Sequence, residues 1–308
     1  MPASPRADAP ARIGARALRE SQPGFPTGLR DLIDVPSVVF VAGDELPPVR
    51  EAVAVVGSRA ASRYGLEQAR RLAGDLARLG MVVVSGLARG IDAAAHRGAL
   101  DAGGRTVAVL PSGLDAITPR YHHELAMEIV ARGTLLSEWE RGDPQGKGVF
   151  VQRNRLIAAL AAATVVVEAA SRSGALTTAA FARRLGRPVL AVPGDLDRET
   201  SRGCHALIRD GAQLCARAAD VLAALGRERW GAALAPRPEP RDAPSRPGSA
   251  GTPESRLLAV LGREPVTVDA LAAAAGLTVA QTLSALLALQ WAGAASPRPG
   301  QRWARSAP

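Results

Sequence analysis

Apolar residues in this chain come in short unbroken runs, separated by helix-length stretches that are apolar on one side only. Runs rich in β-branched residues fall at Val53–Val56, Met81–Val84, Thr106–Leu110, Thr134–Leu136, Thr164–Val167 and Pro188–Val192. Between the first two, Leu66, Ala69, Leu72, Ala73, Leu76 and Leu79 recur at the spacing that puts them on one face of a helix. Strands that are apolar throughout and alternate with helices predict a parallel sheet covered on both faces. The expected fold class is α/β, a doubly wound, mostly parallel, Rossmann-like sheet whose ligands sit beyond the carboxyl ends of the strands. An earlier run, Val35–Ala42, predicts one more short strand, weakened at its start by Pro36, which has no N–H for a ladder.

Outside residues 25–225 the pattern changes. Residues 1–24, rich in Ala, Pro and Arg, are expected to be disordered. Residues 226–253 include a Pro-rich stretch, Ala235–Pro253, and read as a semi-rigid linker. Residues 254–308 predict three short helices, Glu254–Leu261, Val268–Ala275 and Val279–Trp291, then a small hairpin around Pro299-Gly300. Three helices and a hairpin make a small winged-helix-like domain, a pattern used both for reading DNA and for protein contacts.

Three glycine-rich turns follow strand runs and precede helical ones. They are Gly57-Ser58-Arg59, the segment Ser85-Gly86-Leu87-Ala88-Arg89-Gly90, and Ser173-Gly174-Ala175-Leu176-Thr177 beyond Val167-Glu168. Glycine there admits a close backbone approach, and N–H groups at a helix start favour anions. Three such turns in one domain, two with an Arg, predict a surface for several consecutive phosphates, so a nucleic-acid strand rather than one cofactor. Arg59 is expected to hold a phosphate. Ser58, Ser173 and Thr177 either donate hydroxyls to phosphate oxygens or cap their helices. Lys147, Phe150, Arg153 and Arg155 form a basic stretch with one aromatic, suited to stacking a base beside a charged groove, with Phe150 as a plain core residue the competing role. Asp92 and Glu168 either orient arginines, hydrogen-bond a base or simply hold the fold.

Composition sharpens this only partly. A net charge of +9 suits a polyanionic partner, although Lys147 is the single lysine, and so strong a bias towards Arg has a codon-usage reading as well. With 3% aromatics, the core must be built from Ala, Val and Leu. Cys204 and Cys215 make no disulfide framework, the first 20 residues lack a signal-peptide h-region, and Leu156–Val167 is too short to span a bilayer. A soluble, cytoplasmic protein with no membrane association is expected. No G-x-G-x-x-G fingerprint follows Val56, and Gly142–Gly148 has the wrong spacing for a P-loop. Ser85 lacks the flanking glycines of a nucleophile elbow, and no pair of histidines has metal-site spacing. With no nucleophile–base pair, the expectation is a non-enzyme without cofactor or metal.

Taken together, these blocks resemble the DNA-processing protein A family (DprA/Smf). The resemblance runs from about Pro23 to Leu225 through Val55–Arg59, Ser85–His96, Gly113-Leu114-Asp115, Leu136-Ser137-Glu138, Arg153–Ala158, Val167–Ala170, Ser173–Ala179 and Val192-Pro193-Gly194. The tail is more loosely similar to the family's winged-helix domain. This resemblance implies single-stranded DNA binding, loading of the RecA recombinase in DNA uptake and recombination, and a homodimer formed through the α/β domain. It adds Asn154, inside Arg153-Asn154-Arg155, to the DNA-binding candidates. Two departures stand out. The family usually has a polar residue and then Phe-Pro-x-Arg-Asn-Arg, where this chain has Val149-Phe150-Val151-Gln152-Arg153-Asn154-Arg155, and Gly-Thr-Asn is replaced by Gly203-Cys204-His205. The helical domain that often precedes the sheet is expected to be absent or reduced to residues 1–24. Two other readings remain. One is a phosphoribohydrolase on the same type of sheet, although Pro193-Gly194-Asp195 does not continue as that group's Pro-Gly-Gly-x-Gly-Thr turn. The other is a scaffold whose winged helix alone binds DNA.

Overall fold

The computed structural model describes residues 13–142, 146–227, 252–262, 264–300 and 302–306. Most of the linker, the first 12 residues and positions 143–145 lie outside that range. The chain divides into two compact units, 1–235 and 236–308.

The first unit is built on one nine-stranded sheet. Its strands are β1 (Arg16–Arg19), β2 (Val38–Gly43), β3 (Ala52–Val56), β4 (Val82–Ser85), β5 (Thr106–Leu110), β6 (Thr134–Ser137), β7 (Ala163–Val166), β8 (Val189–Ala191) and β9 (Gln213–Leu214). Between and after them come α1 (Arg63–Arg78), α2 (Ile91–Asp101), α3 (His123–Arg132), α4 (Lys147–Ala159), α5 (Ala175–Arg184), α6 (Glu199–Arg209) and α7 (Ala218–Ala224). The spatial order is β1-β2-β6-β5-β4-β3-β7-β8-β9, parallel from β6 to β9 and antiparallel at β1 and β2.

The unbroken apolar runs have a direct packing cause. Val53 and Val55 of β3 point into one layer, against Leu72 and Leu76 of α1 and Ala95 and Ala99 of α2. Ala52, Ala54 and Val56 point into the opposite layer, against Leu156 and Ile157 of α4 and Ala179 and Ala182 of α5. A strand buried on both sides has no polar alternate.

The expectation of disorder across residues 1–24 is corrected for the described part. Arg16–Arg19 pairs antiparallel with Val38–Val41, and the Arg16 guanidinium donates to the Gly43 carbonyl at 2.8 Å. Arg-Ala-Leu-Arg has no strand periodicity of its own, so its conformation comes from the partner strand. The two-residue edge strand β9 escaped prediction for the same reason.

In the second unit, α8 (Pro253–Val260), α9 (Val268–Ala275) and α10 (Val279–Trp291) pack on a three-stranded sheet in the order β10-β12-β11. These strands are β10 (Val266–Thr267), β11 (Ala295–Arg298) and β12 (Arg302–Arg305). Thr252, Thr267 and Thr278 cap the three helices through their side chains, and Gly276 ends α9 at φ 63°. Leu257, Leu271, Leu286, Leu289 and Trp303 fill the core. Among the described residues, no single helix is long and apolar enough to cross a membrane.

His96 of α2 is fully buried between the carboxyl end of β4 and the start of β5. Its Nε2 lies 2.5 Å from the Gly86 carbonyl, to which it donates, and its Nδ1 lies 2.7 Å from Thr106 Oγ1. Burial lowers its pKa from 6.5 to about 4. The unfolded chain therefore takes up a proton below about pH 6.5 that the folded state refuses until about pH 4. The stability tied to this group is intact above that window and is lost as pH falls through it. Relative to His96→Gln, wild-type stability should fall by about 2 kcal/mol between pH 7 and pH 5, read from urea denaturation at both pH values. Parallel pH profiles for the two proteins would show that His96 is not held neutral.

Candidate nucleic-acid interface

The chain steps from β3 through β4 and β5 to β6 on one side, then returns to the other side of β3 as β7. Loops leaving the carboxyl ends of β3 and β7 diverge there and open a crevice, the usual ligand position in such a sheet. Cross-links hold the crevice open in one shape. Ser58 N–H donates to the Glu168 carbonyl at 2.7 Å, and Ile91 N–H donates to the Ser58 carbonyl at 3.2 Å. The Glu168 carboxylate accepts from Ser62 N–H at 2.8 Å and from Ser62 Oγ at 2.5 Å, while Ser62 Oγ caps α1 by accepting from Gly65 N–H. Glu168 thus serves the fold and ties the loops after β3 and β7 together.

The glycines have a role different from admitting a ligand. A Cβ at Gly57 would lie 2.6 Å from Ile91 Cγ1, and one at Gly90, where φ is 85°, would meet the Ser58 carbonyl. A Cβ at Gly86 would lie 2.5 Å from Asp92 Oδ2 and 2.7 Å from both terminal nitrogens of Arg153. These three let the loops pack on one another; of the four glycines singled out at the crevice, Gly174 alone faces open space.

The basic stretch on α4 splits by side. Arg153 is buried over Gly86, where Nη1 donates to the Val109 carbonyl and Nε donates to Asn154 Oδ1 at 3.2 Å. Burial lowers its pKa to about 10, opposed by the Asp92 carboxylate and reinforced by Arg59, so it stays cationic at neutral pH. Burial likewise raises the pKa of Asp92, against the Arg153 charge and the Ala88 N–H that it accepts. Asn154 Nδ2 donates to the Gly174 carbonyl and Thr177 Oγ1, and thereby sets the start of α5.

Two predicted contacts are corrected. Arg155 is buried and held by Asp34 at 2.7 Å and Glu138 at 2.6 Å, because the helix turns it towards the loops after β6 and before β2. Ser85 is fully buried, its hydroxyl donating to the Val55 carbonyl at 2.7 Å. Neither side chain reaches the crevice. Lys147 is the first residue of α4, but its side chain lies outside the described residues.

What remains around the crevice is cationic and uncommitted. The Arg59 guanidinium lies over the half-buried Phe150 ring, 4.3 Å from its centroid. Two cavities, of about 470 and 330 Å³, share Arg59, Phe150 and Arg153. Ser58, Arg172, Ser173 and Gly174 line the larger cavity, with Asp92 in its wall. The smaller is lined by Arg89 and Tyr121. Among the described residues, Arg59, Arg89 and Arg172 have no hydrogen bond or ion pair. Thr177 is already spent on α5, donating to the Gly174 carbonyl, and Ser58 and Ser173 accept from the N–H two residues on. Arg172 escaped prediction although it directly precedes Ser173-Gly174. Tyr121 has no signal in its own segment, because its loop reaches the crevice only through the fold.

The two departures from the family pattern fall in different surroundings. Val151 stands at the rim of the larger cavity. Cys204 is buried under β7 with its thiol 3.6 Å from the Val166 carbonyl, and burial raises its pKa to about 12, while His205 Nε2 lies 3.0 Å from the Gly194 carbonyl. They pack α6 against the sheet rather than face the crevice.

A doubly wound sheet with a cationic crevice at its switch point, followed by a winged-helix unit, defines a Rossmann-like protein of two domains. Residues 16–226 match the family described as DNA recombination-mediator protein A, and residues 237–301 match the DprA winged helix domain. The chain belongs to the DNA recombination-mediator protein A family. It is 38% identical to protein Smf of Escherichia coli over 283 residues, 90% of this chain and 74% of that protein. The X-ray structure of DNA processing protein A from Streptococcus pneumoniae superposes with a TM-score of 0.64 at 38% identity, over 68% of this chain and 74% of the other. The Helicobacter pylori protein, whose single-stranded DNA binding mode has been described structurally, superposes with a TM-score of 0.63 at 30% identity, over 70% of this chain and 97% of that one.

Separating committed from uncommitted arginines gives a direct test. Arg155→Met leaves Glu138 without its partner. It should destabilise the fold by about 2–3 kcal/mol, below the value for a fully buried pair because Asp34 stays in water. Arg59→Ala, at an exposed position, should leave the thermal midpoint within a degree or two of wild type. Equal melting of both variants would remove the distinction.

Proposed function

We propose that this protein grips single-stranded DNA in the crevice between the β3 and β7 loops and passes it to the RecA recombinase, without catalysing a reaction. The observation that carries this reading is Arg59, an exposed guanidinium with no ion pair among the described residues, stacked on Phe150 where the two cavities meet. A phosphate on Arg59 leaves the adjoining base beside an aromatic ring, an arrangement that a strand with unstacked bases can use and a duplex cannot. Gly174 and Ala175 at the start of α5 line the same cavity, where the helix dipole favours an anion. The recombinase hand-over rests on membership of a recombination-mediator family, as do a homodimer formed by the α/β domain and a cytoplasmic location. Support for a non-catalytic role comes from the candidate nucleophiles and bases: Ser85, His96 and Cys204 are all buried in hydrogen bonds that serve the fold.

The reading in which the winged helix alone binds DNA is disfavoured by α10. Val279–Trp291 contains no charged residue, and Val279, Leu283, Leu287 and Trp291 are its exposed apolar side chains, Trp291 at 92%. Such a helix has nothing for phosphates. The phosphoribohydrolase reading lacks its glycine turn.

In a fluorescence-anisotropy titration, the protein should prefer single strands to duplex, and affinity should fall steeply with salt. Arg59→Ala should weaken single-strand binding by about ten- to a hundredfold, the loss of a charge-assisted phosphate contact. Arg70→Glu, on the exposed face of α1 and paired with Asp101, should have far less effect. Like behaviour at the two positions would reduce the interaction to diffuse charge. A fragment ending near Gly226 should keep most of the affinity, and the winged-helix fragment should show little. The reverse result would move the function to the tail. Faster RecA assembly on single strands when the protein is added, lost in Arg59→Ala, tests the hand-over.

A further inference from the structure

We infer that the exposed face of α10 is a contact between copies of this chain, separate from any contact of the α/β domain and independent of what the crevice holds. The helix divides into two sides. Thr282, Ala285, Leu286 and Leu289 are buried in the winged-helix unit. Burial accounts for the apolar character of that side only, yet the other side is uncharged as well. In a chain with 22% charged residues, none falls between Gly276 and Pro297. The solvent face of a surface helix is ordinarily where charges collect.

Two neighbouring rows run along the exposed side. Val279, Leu283, Leu287 and Trp291, spaced by four, are 48%, 43%, 53% and 92% exposed. Beside them stand Ala280, Ser284, Ala288 and Ala292, exposed too and all small. A ridge of large side chains next to a groove of small ones complements itself when a second copy is turned by half a rotation. Each ridge then lies in the other's groove, the crossing that rows of i±4 spacing form. Charge favours the same occupant. A two-fold contact sets charges beside their own copies, so a protein of net charge +9 associates with itself best through an uncharged patch. This face has no charge to repel a copy, and none to offer a nucleic acid or a charged partner. The four large side chains leave on the order of 400 Å² in water, a patch of the size that marks an interaction site. Two copies of the face cover about 1,000 Å², the lower limit for a specific contact and below the roughly 1,200–2,000 Å² of stable ones. The contact is therefore a reversible one.

In sedimentation equilibrium of the full chain between about 1 and 200 µM, the wild-type average mass should approach twice its low-concentration value. Any dimer held by the α/β domain sets that starting value for wild type and variants alike. Leu287→Glu should stay near the starting value over the same range, because two carboxylates then meet across the axis. Leu287→Lys should do the same, and an equal mixture of the Glu and Lys variants should regain the wild-type rise. Trp291→Ala, which adds no charge, should weaken association about tenfold while its thermal midpoint stays within a degree or two of wild type, which separates a lost contact from a lost fold. A wild-type mass that is constant over the whole range would show the face to be covered within one chain or left bare, and would overturn the inference. So would a rise of equal size in Leu287→Glu, or a Glu–Lys mixture that fails to associate.

Discussion

A guanidinium buried at the carboxyl edge of the sheet is the constraint around which this site is arranged. Arg153 cannot lose its proton at neutral pH and, among the described residues, is buried without a carboxylate in ion-pair contact, so backbone and amide groups must satisfy it. The carbonyl of Val109 and the Asn154 side chain do so, and Asp92 stands nearby to offset the charge. Gly86 follows from this: any side chain there would occupy the space of Arg153 and Asp92. Asn154, held by Arg153 on one side, reaches the first turn of α5 on the other. One buried cation therefore links β5, the loop after β4, α2 and α5, and gives the crevice its positive floor.

The same economy explains which arginines face outward. Arg155 and Arg187 are spent on the fold. Arg187 donates to the carbonyls of Ala158 and Ala161 at the end of α4 and pairs with Asp31, while Arg155 holds Asp34 and Glu138. Between them they fix α4, so that Phe150 and Arg153 have a rigid base. Arg59, Arg89 and Arg172 sit on the three loops that meet at the switch point, and internal partners are missing there among the described residues. A site for a phosphate backbone needs cations that are positioned by their loops but not already neutralised.

The winged-helix unit follows a different chemistry. Its helices are capped by threonines and its core is leucine-rich, while α10 presents apolar side chains at every fourth position and no charge. Its exposed helix face differs in kind from the crevice, where the loops after β3, β4 and β7 each carry an arginine.

Much was determined by local sequence. The parallel sheet was legible because a strand buried on both faces is apolar at nearly every position, and the winged helix because Thr267, Thr278 and Gly276 mark helix ends by their own chemistry. The three loops that line the crevice were legible as strand-to-helix turns, because glycine straight after an apolar run marks such a turn, whereas the use of Gly57, Gly86 and Gly90 in packing the loops on one another was not. Local sequence carried no sign of β1 or β9, short edge strands whose geometry comes from a neighbour. Nor did it distinguish Arg153, Arg155 and Arg59, three arginines of identical chemistry. A helix turn of about 100° per residue aims two of them into different parts of the interior, and only the packed fold determines which find partners. Tyr121 joins the site solely because the sheet brings its loop beside Leu87 and Arg59. Proximity between segments some 60 residues apart is a property of the tertiary structure, and no local pattern records it.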